Sequence, residues 1–382
     1  MRICVITSGF PRYESDYSGI FVYNSIIGLS QIHEIHIVYP TNVKWPEDIR
    51  EPFHRHPVPY PFKTYPMAQV HGLDYINTIR LSLNMLVKIR AVVKNHNIDL
   101  LHAYHAIPSG LLASLWCGKR PLIITLPGSD IKIFGKKRMF KYPIKYALKK
   151  AVKIIARSND LKQEAIKLGA KEQKISIIPA GVDTNKFKPM VKQVLRSKLG
   201  LPDGFLMLFV GSLFRIKRVD RLINAYANLN KDFDCHLVIV GDGPEKENLK
   251  ELAEHLDLRS IVFKGLVPHK DMPFYMAASD VLVLTSESEG LPGCVQEAMA
   301  SGIPVVTSNV GGLSEIVIDG VNGYLVNNEA EIEECLRLLM SSPHLATMMG
   351  ANALEFARQN LSLDMVVKQT EELYTSVVAE TR

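Results

Sequence analysis

Short β-rich apolar runs alternate with longer helical patterns twice along this chain, and that alternation restricts it to parallel sheets built from βαβ units. The first series predicts strands at Arg2–Thr7, Ile35–Tyr39, Leu100–His102, Leu122–Thr125, Lys153–Ala156 and Ile175–Ile178. Helical patterns fall between them at Ile20–Ser30, Ile76–Asn95, Ser109–Trp116 and Leu161–Leu168, and the proline-rich stretch Pro52–Pro66 reads as an irregular loop. The second series predicts strands at Leu206–Val210, His236–Val240, Ile261–Lys264, Val281–Leu284, Val305–Thr307 and Tyr324–Val326. Its helices are expected at Val219–Asn228, Glu245–Leu256, Met272–Met276 and Gly293–Ala300. Turn residues and proline between Gly181 and Pro189 close the first series. The expected fold class is α/β, with two Rossmann-like, doubly wound parallel-sheet domains. The first takes residues 1–187 plus 363–382, because the amphipathic pattern Leu363–Val378 can pack back on it, and the second takes residues 188–362. Ligands of such sheets bind outside the carboxyl ends of the strands, and two sheets facing one another would make a central cleft there.

Composition narrows the setting. The 382 residues are 47% hydrophobic and 22% charged, enough apolar material for two cores. No apolar run approaches the roughly 18 residues a membrane-spanning helix needs. Arg2 followed by Ile3–Ile6 reads as a first strand and not as a signal peptide. Five widely spaced cysteines, odd in number and without a Cys-x-x-Cys pair, argue against a disulfide framework or a structural zinc site and for a reducing, cytoplasmic compartment. The net charge of +6 is unevenly spread: Lys132–Lys153 holds nine basic residues and no acidic one, interleaved with Phe134, Met139, Phe140, Tyr142 and Tyr146. That pattern fits peripheral contact with an anionic membrane surface. Within it Ile144, Ala147, Leu148, Ala151 and Val152 follow helical spacing and face a core. No nucleic-acid-binding motif accompanies the patch, so nucleic acid is not an expected partner.

The sharpest motif runs from Glu289 to Pro304, directly after the strand Val281–Leu284. Pro292 suits a first helical position, Gly302 the residue past the helix end, and Pro304 blocks continuation. A helix therefore opens at a strand's carboxyl end with free N–H groups, an anion site that needs no metal. Gly290, Leu291, Pro292 and Gly293 line its approach. Glu297 lies about one turn inside, where a carboxylate can hold a ribose diol, and Glu289 lies in the loop ahead. A second element, Gly211 to Asp220, follows the strand Leu206–Val210. Gly211 permits a close turn, and Arg215 and Lys217 stand where cations would stabilise charge developing on a leaving diphosphate. Near the amino terminus, Gly9 and Gly19 belong to a small-residue loop between strand and helix. Gly128-Ser129-Asp130, ending another strand, is placed to line an acceptor.

Competing motifs fail. Gly241-Asp-Gly243 lacks the third glycine of a dinucleotide fingerprint, and there is no phosphate loop or serine-hydrolase elbow. Asp232-Phe-Asp234 precedes a strand and reads as a turn. His54/His56 and His102/His105 have no common zinc spacing, and His102 reads as a core histidine.

Over nearly its whole length the chain resembles the family 4 glycosyltransferases, retaining enzymes of the GT-B fold. The matching segments are Ile98–Ala103, Ile175–Pro189, Val240–Pro244, Val262–Gly265, Ser286–Pro304 and Val310–Val317, with Glu289 and Glu297 fitting the family's two glutamates separated by seven residues. The resemblance implies transfer of a sugar from a nucleotide-diphosphate donor to a glycan or lipid-linked acceptor, without metal or other cofactor. It implies that Lys217 contacts the diphosphate, Glu297 the ribose hydroxyls, and Glu289 with the Gly290–Gly293 backbone the donor sugar, while Gly19 lies under the phosphates. Two positions depart from the family pattern. Pro127 stands where a histidine is common, and Ser212 follows the glycine after which an arginine is common. These departures motivate one alternative, a catalytically weak GT-B subunit that binds a nucleotide. A GT-B nucleotide-sugar epimerase is another.

Overall fold

The computed structural model describes residues 1–11, 18–43, 51–60, 75–128 and 130–381. Two compact units divide them: residues 1–180 with 363–382, and residues 181–362.

The first unit runs β1 (Arg2–Ile6), α1 (Ile20–Leu29), β2 (Glu34–Pro40), β3 (His54–Val58), α2 (Tyr75–Asn95), β4 (Leu100–Tyr104), α3 (Leu111–Trp116), β5 (Leu122–Leu126), α4 (Arg138–Lys150), β6 (Lys153–Ala156), α5 (Asn159–Lys167) and β7 (Ile175–Ile177). Its strands pair in parallel in the order β3-β2-β1-β4-β5-β6-β7. Strand β3 corrects the expected loop at Pro52–Pro66: residues 54–58 pair with β2, and residues 61–66 lie outside the described chain. Pro57 is tolerated because β3 is an edge strand. The sheet is buried on both faces, so β1, β4 and β5 read as continuous apolar runs instead of alternating ones.

The second unit runs α6 (Lys192–Leu199), β8 (Phe205–Val210), α7 (Val219–Leu229), β9 (Cys235–Val240), α8 (Lys246–His255), β10 (Ile261–Gly265), α9 (Met272–Ala278), β11 (Val281–Leu284), α10 (Gly293–Ala300), β12 (Val305–Ser308), β13 (Gly323–Val326), α11 (Glu329–Ser341) and α12 (Pro343–Asn360). Its parallel order is β10-β9-β8-β11-β12-β13, the doubly wound arrangement whose direction reverses between β8 and β11.

The chain returns to the first unit as α13 (Leu363–Thr381), which lies on α1. The contact is close: a Cβ on Gly28 would meet the Val367 side chain at 2.4 Å. Tyr374 of α13 reaches under the sheet to hydrogen-bond His102 Nδ1, while His102 Nε2 meets Thr125 Oγ1 at 2.7 Å. Burial pushes the His102 pKa down to about 3, so this is a neutral core imidazole with both nitrogens partnered.

The basic segment forms α4. Ile144, Ala147, Leu148 and Ala151 are buried, whereas Val152 is only partly so. Lys136, Lys137, Arg138, Lys141, Lys145, Lys149 and Lys150 are exposed, together with Met139, Tyr142 and Tyr146. Lys132 pairs with Asp160 at 2.7 Å, and Phe134 and Phe140 pack edge to face. No helix among the described residues is long and apolar enough to cross a membrane.

Candidate active site

The reversal of strand order in the second unit leaves two loops side by side, one after β8 and one after β11, and the sequence stitches them together. Glu287 N–H donates to the Ile216 carbonyl at 2.8 Å. The Thr285 hydroxyl donates to the Lys217 and Arg218 carbonyls at 3.1 and 2.8 Å. Arg218 takes a left-handed conformation (φ 47°), and its guanidinium spans Asp220 and Glu287.

That stitching brings Lys217 to Glu289. Lys217 Nζ donates to Glu289 Oε1 at 2.6 Å, and the Ser286 hydroxyl donates to the same oxygen at 2.6 Å. The side chains are 19% and 9% exposed, so solvent screens the pair only weakly. Arg215 goes elsewhere. It is exposed and lines a hollow of about 390 Å³ with Arg218, Glu245 and Glu287, whose described lining includes neither Lys217 nor either of the glutamates 289 and 297. Among the expected cations, Lys217 joins the carboxylate site and Arg215 does not.

Helix α10 begins beside this pair. Gly293 is its first residue, as expected, and Pro292 is its N-cap in extended conformation, one position before the first helical place the sequence reading gave the proline. The Pro292 ring carries no hydrogen-bond acceptor, so no N-cap side chain caps the first-turn N–H groups of the helix. The Gly290 carbonyl accepts from Gly312 N–H at 2.8 Å, which fixes the loop, and Leu291 and Pro292 are half-buried. Glu297 sits one turn in, its Oε1 2.9 Å from His269 Nε2, with both side chains about 15% exposed. His269 was not read from the sequence. Its one signal was position in the loop following strand β10. Burial, then the charges of Glu289 and Glu297, push the Cys294 thiol up to about 12.

The Gly211 loop rests on the loop after β9. Gly241 (φ 146°) is the glycine the packing demands, since a Cβ there would lie 1.8 Å from the Gly211 carbonyl oxygen. Gly211 itself continues the ladder through its N–H to the Val240 carbonyl at 3.0 Å. The Gly-Asp-Gly-Pro motif is thus a backbone support for the site.

In the first unit the corresponding reversal lies between β1 and β4. Gly19 (φ 67°) caps α1, and a Cβ there would lie 2.1 Å from the Gly9 carbonyl oxygen, so these two glycines meet backbone on backbone. Gly128 (φ 134°) follows β5. Asp130 is 1% exposed: its Oδ2 accepts from Ala106 N–H at 2.6 Å, its carboxylate is turned into the fold, and burial raises its pKa. The expected acceptor contact at Asp130 is therefore a loop anchor, and Ser129 lies outside the described residues. His105, at the end of β4, is held at φ 78°. Arg157 is buried after β6, donating to the Ile178 and Pro179 carbonyls and lying over the Phe21 and Tyr104 rings. In the sequence His105 was weighed only as a metal ligand and set aside, and Arg157 was not singled out.

Two parallel doubly wound units, the second with a lysine–glutamate clasp and an uncapped helix at its strand reversal, define a GT-B transferase. Residues 191–356 match the family profile "Glycosyl transferases group 1" and residues 19–186 match "Glycosyltransferase Family 4". A putative teichuronic acid biosynthesis glycosyltransferase, TuaC of Bacillus subtilis, is 30% identical over 83% of both chains. N-acetyl-alpha-D-glucosaminyl L-malate synthase of Bacillus anthracis is 28% identical over 78% of this chain and 80% of its own. The fold is shared with Anabaena HepE, solved in complex with UDP, at a TM-score of 0.77 and 20% identity over 98% of this chain and 100% of that one. The chain belongs to glycosyltransferase family 4.

Proposed function

We propose that this glycosyltransferase is a metal-independent, retaining hexosyltransferase that takes its sugar from a nucleotide-diphosphate donor held by the second unit. The observation that carries the reading is the convergence of Lys217, Glu289 and the uncapped start of α10 at one strand reversal, with Glu297 one turn further on. Each part has a chemical task. The free N–H groups and Lys217 meet the diphosphate, and neutralise the charge that develops as the sugar–phosphate bond breaks. Glu297, oriented by His269, accepts from the ribose hydroxyls. Glu289, held by Ser286, accepts from hydroxyls of the donor sugar once the diphosphate engages Lys217. The acceptor is a glycan or a lipid-linked glycan met by the first unit, and the exposed cations and aromatics of α4 rest on an anionic membrane surface.

A panel of UDP-, GDP- and ADP-sugars, incubated with the purified chain and a lipid-linked acceptor in the presence of a chelator, tests this. Expected is one donor consumed, with the anomeric configuration retained in the product by NMR. Pro127 and Ser212 favour the second reading, a nucleotide-binding subunit with little turnover. Tight nucleotide binding without any transfer would select it. Conversion of the donor sugar with no acceptor present would instead identify an epimerase.

A further inference from the structure

Four of the chain's twelve histidines meet at one corner of the first unit, in the amino-terminal halves of β2 and the edge strand β3 and at the end of α2. Parallel register sets His36 of β2 opposite His54 of β3, and His56 follows on the same face two residues later. Helix α2 covers β2 and β3 and delivers His96 just past its last residue. Ring centroids of His36 and His96 are 4.3 Å apart, and those of His56 lie 5.3 Å from each. His36 is buried, whereas His56 and His96 are partly exposed, which leaves an opening to solvent.

We propose that His36, His56 and His96 form a binding site for a zinc-class divalent ion, with a fourth coordination position open to water. The argument is geometric. Tetrahedral zinc with bonds of about 2.0–2.1 Å sets its ligand nitrogens roughly 3.4 Å apart. His36 Nδ1 and His56 Nε2 already stand 3.0 Å apart, and one ligand atom from each of the three residues falls within 4.8 Å of the others. The remaining nitrogen of His36, Nε2, lies 3.0 Å from Glu34 Oε1. A metal-bound imidazole holds its other N–H against a carboxylate in this way, which fixes the tautomer that turns Nδ1 to the ion. Imidazole ligands select zinc, nickel, cobalt or copper over magnesium and calcium. His54 and Glu34 also approach His36, but Glu34 faces His36 Nε2, so an ion between those two would take the place of the orienting contact. The site belongs to the edge of the first unit's sheet, where the ion would tie β2, β3 and the end of α2 together.

The test is calorimetry of the full-length, metal-stripped protein with zinc chloride, followed by thermal melting with and without the ion. Expected are one equivalent bound and a raised midpoint. His56→Ala and His96→Ala should each weaken binding at least tenfold, Glu34→Gln about tenfold, and His54→Ala should leave it unchanged. If an alanine variant does not fold, the cobalt(II) spectrum of the wild-type protein decides: intense tetrahedral bands support the site, and a weak octahedral spectrum overturns it. No saturable zinc binding by the wild type, or loss on His54→Ala with retention on His56→Ala, also overturns the proposal.

Discussion

The two units share a strand order around their reversal points, yet they fill those points with opposite chemistry. In the second unit charge gathers at the loops: Lys217 and Glu297 are partly exposed, Glu289 is buried against Lys217, and each is paired with a neighbour that a ligand can displace or share. In the first unit the described charges near the strand ends, Asp130 and Arg157, are drawn inward. Asp130 is spent on the backbone at Ala106, Arg157 on the carbonyls at Ile178 and Pro179, and Gly19 packs backbone on backbone against Gly9. The same topology thus gathers a lysine–glutamate pair at the reversal in one unit and spends its described charges on backbone in the other. A doubly wound sheet fixes where a site can be, and the loop residues decide whether one exists.

Substitutions can break that comparison. The largest effect is expected from Lys217→Ala, which removes a stabiliser of the leaving phosphate and should lower kcat by about 100–1000-fold, measured as steady-state donor turnover. It also strands Glu289, so a lower thermal midpoint should accompany the loss. Next is charge reversal at Lys136, Lys137 and Arg138. At about 1 kcal/mol for each cation near an anionic surface, it should weaken vesicle binding by more than 100-fold. It should leave donor affinity untouched, which vesicle sedimentation and calorimetry can check side by side. Glu297→Ala should raise the KM for the donor by about 10–100-fold, the worth of hydrogen bonds to a charged group, and should not affect vesicle binding. The smallest effect belongs to His269→Ala. Losing one orienting contact should raise KM about fivefold with kcat nearly unchanged, a split that initial-rate kinetics resolves. If the variants of the second unit altered vesicle binding, or the α4 variant altered donor affinity, the division of labour between the units would be wrong.

Much of this was legible in the sequence because continuous apolar runs and turn punctuation mark buried parallel strands. Strands β6 and β11 and helix α10 fall at their expected bounds. The departures have physical reasons. Prolines hid β3, yet an edge strand accepts Pro57 where a central one would not. Pro292 precedes α10 as its N-cap instead of filling the first helical position, because its φ of −67° suits either place and its ψ of 134° keeps it extended. The glutamates 289 and 297 were visible because each lies close in sequence to the helix that positions it. His269 and Arg157 were not, since each acts on a partner more than 20 residues away. The histidine corner escaped for the same reason. His36, His56 and His96 have no metal-site spacing in the sequence, and only strand register and the end of α2 bring them together.

The central claim is that the loops after β8 and β11 grip a nucleotide diphosphate without a divalent ion. Calorimetric titration of the whole chain with UDP- and GDP-sugars in excess chelator tests it most directly. The account expects one of them to bind with one-to-one stoichiometry, and Lys217→Ala and Glu297→Ala to weaken that binding. Binding that appeared only on adding magnesium or manganese, or that ignored both substitutions, would contradict it.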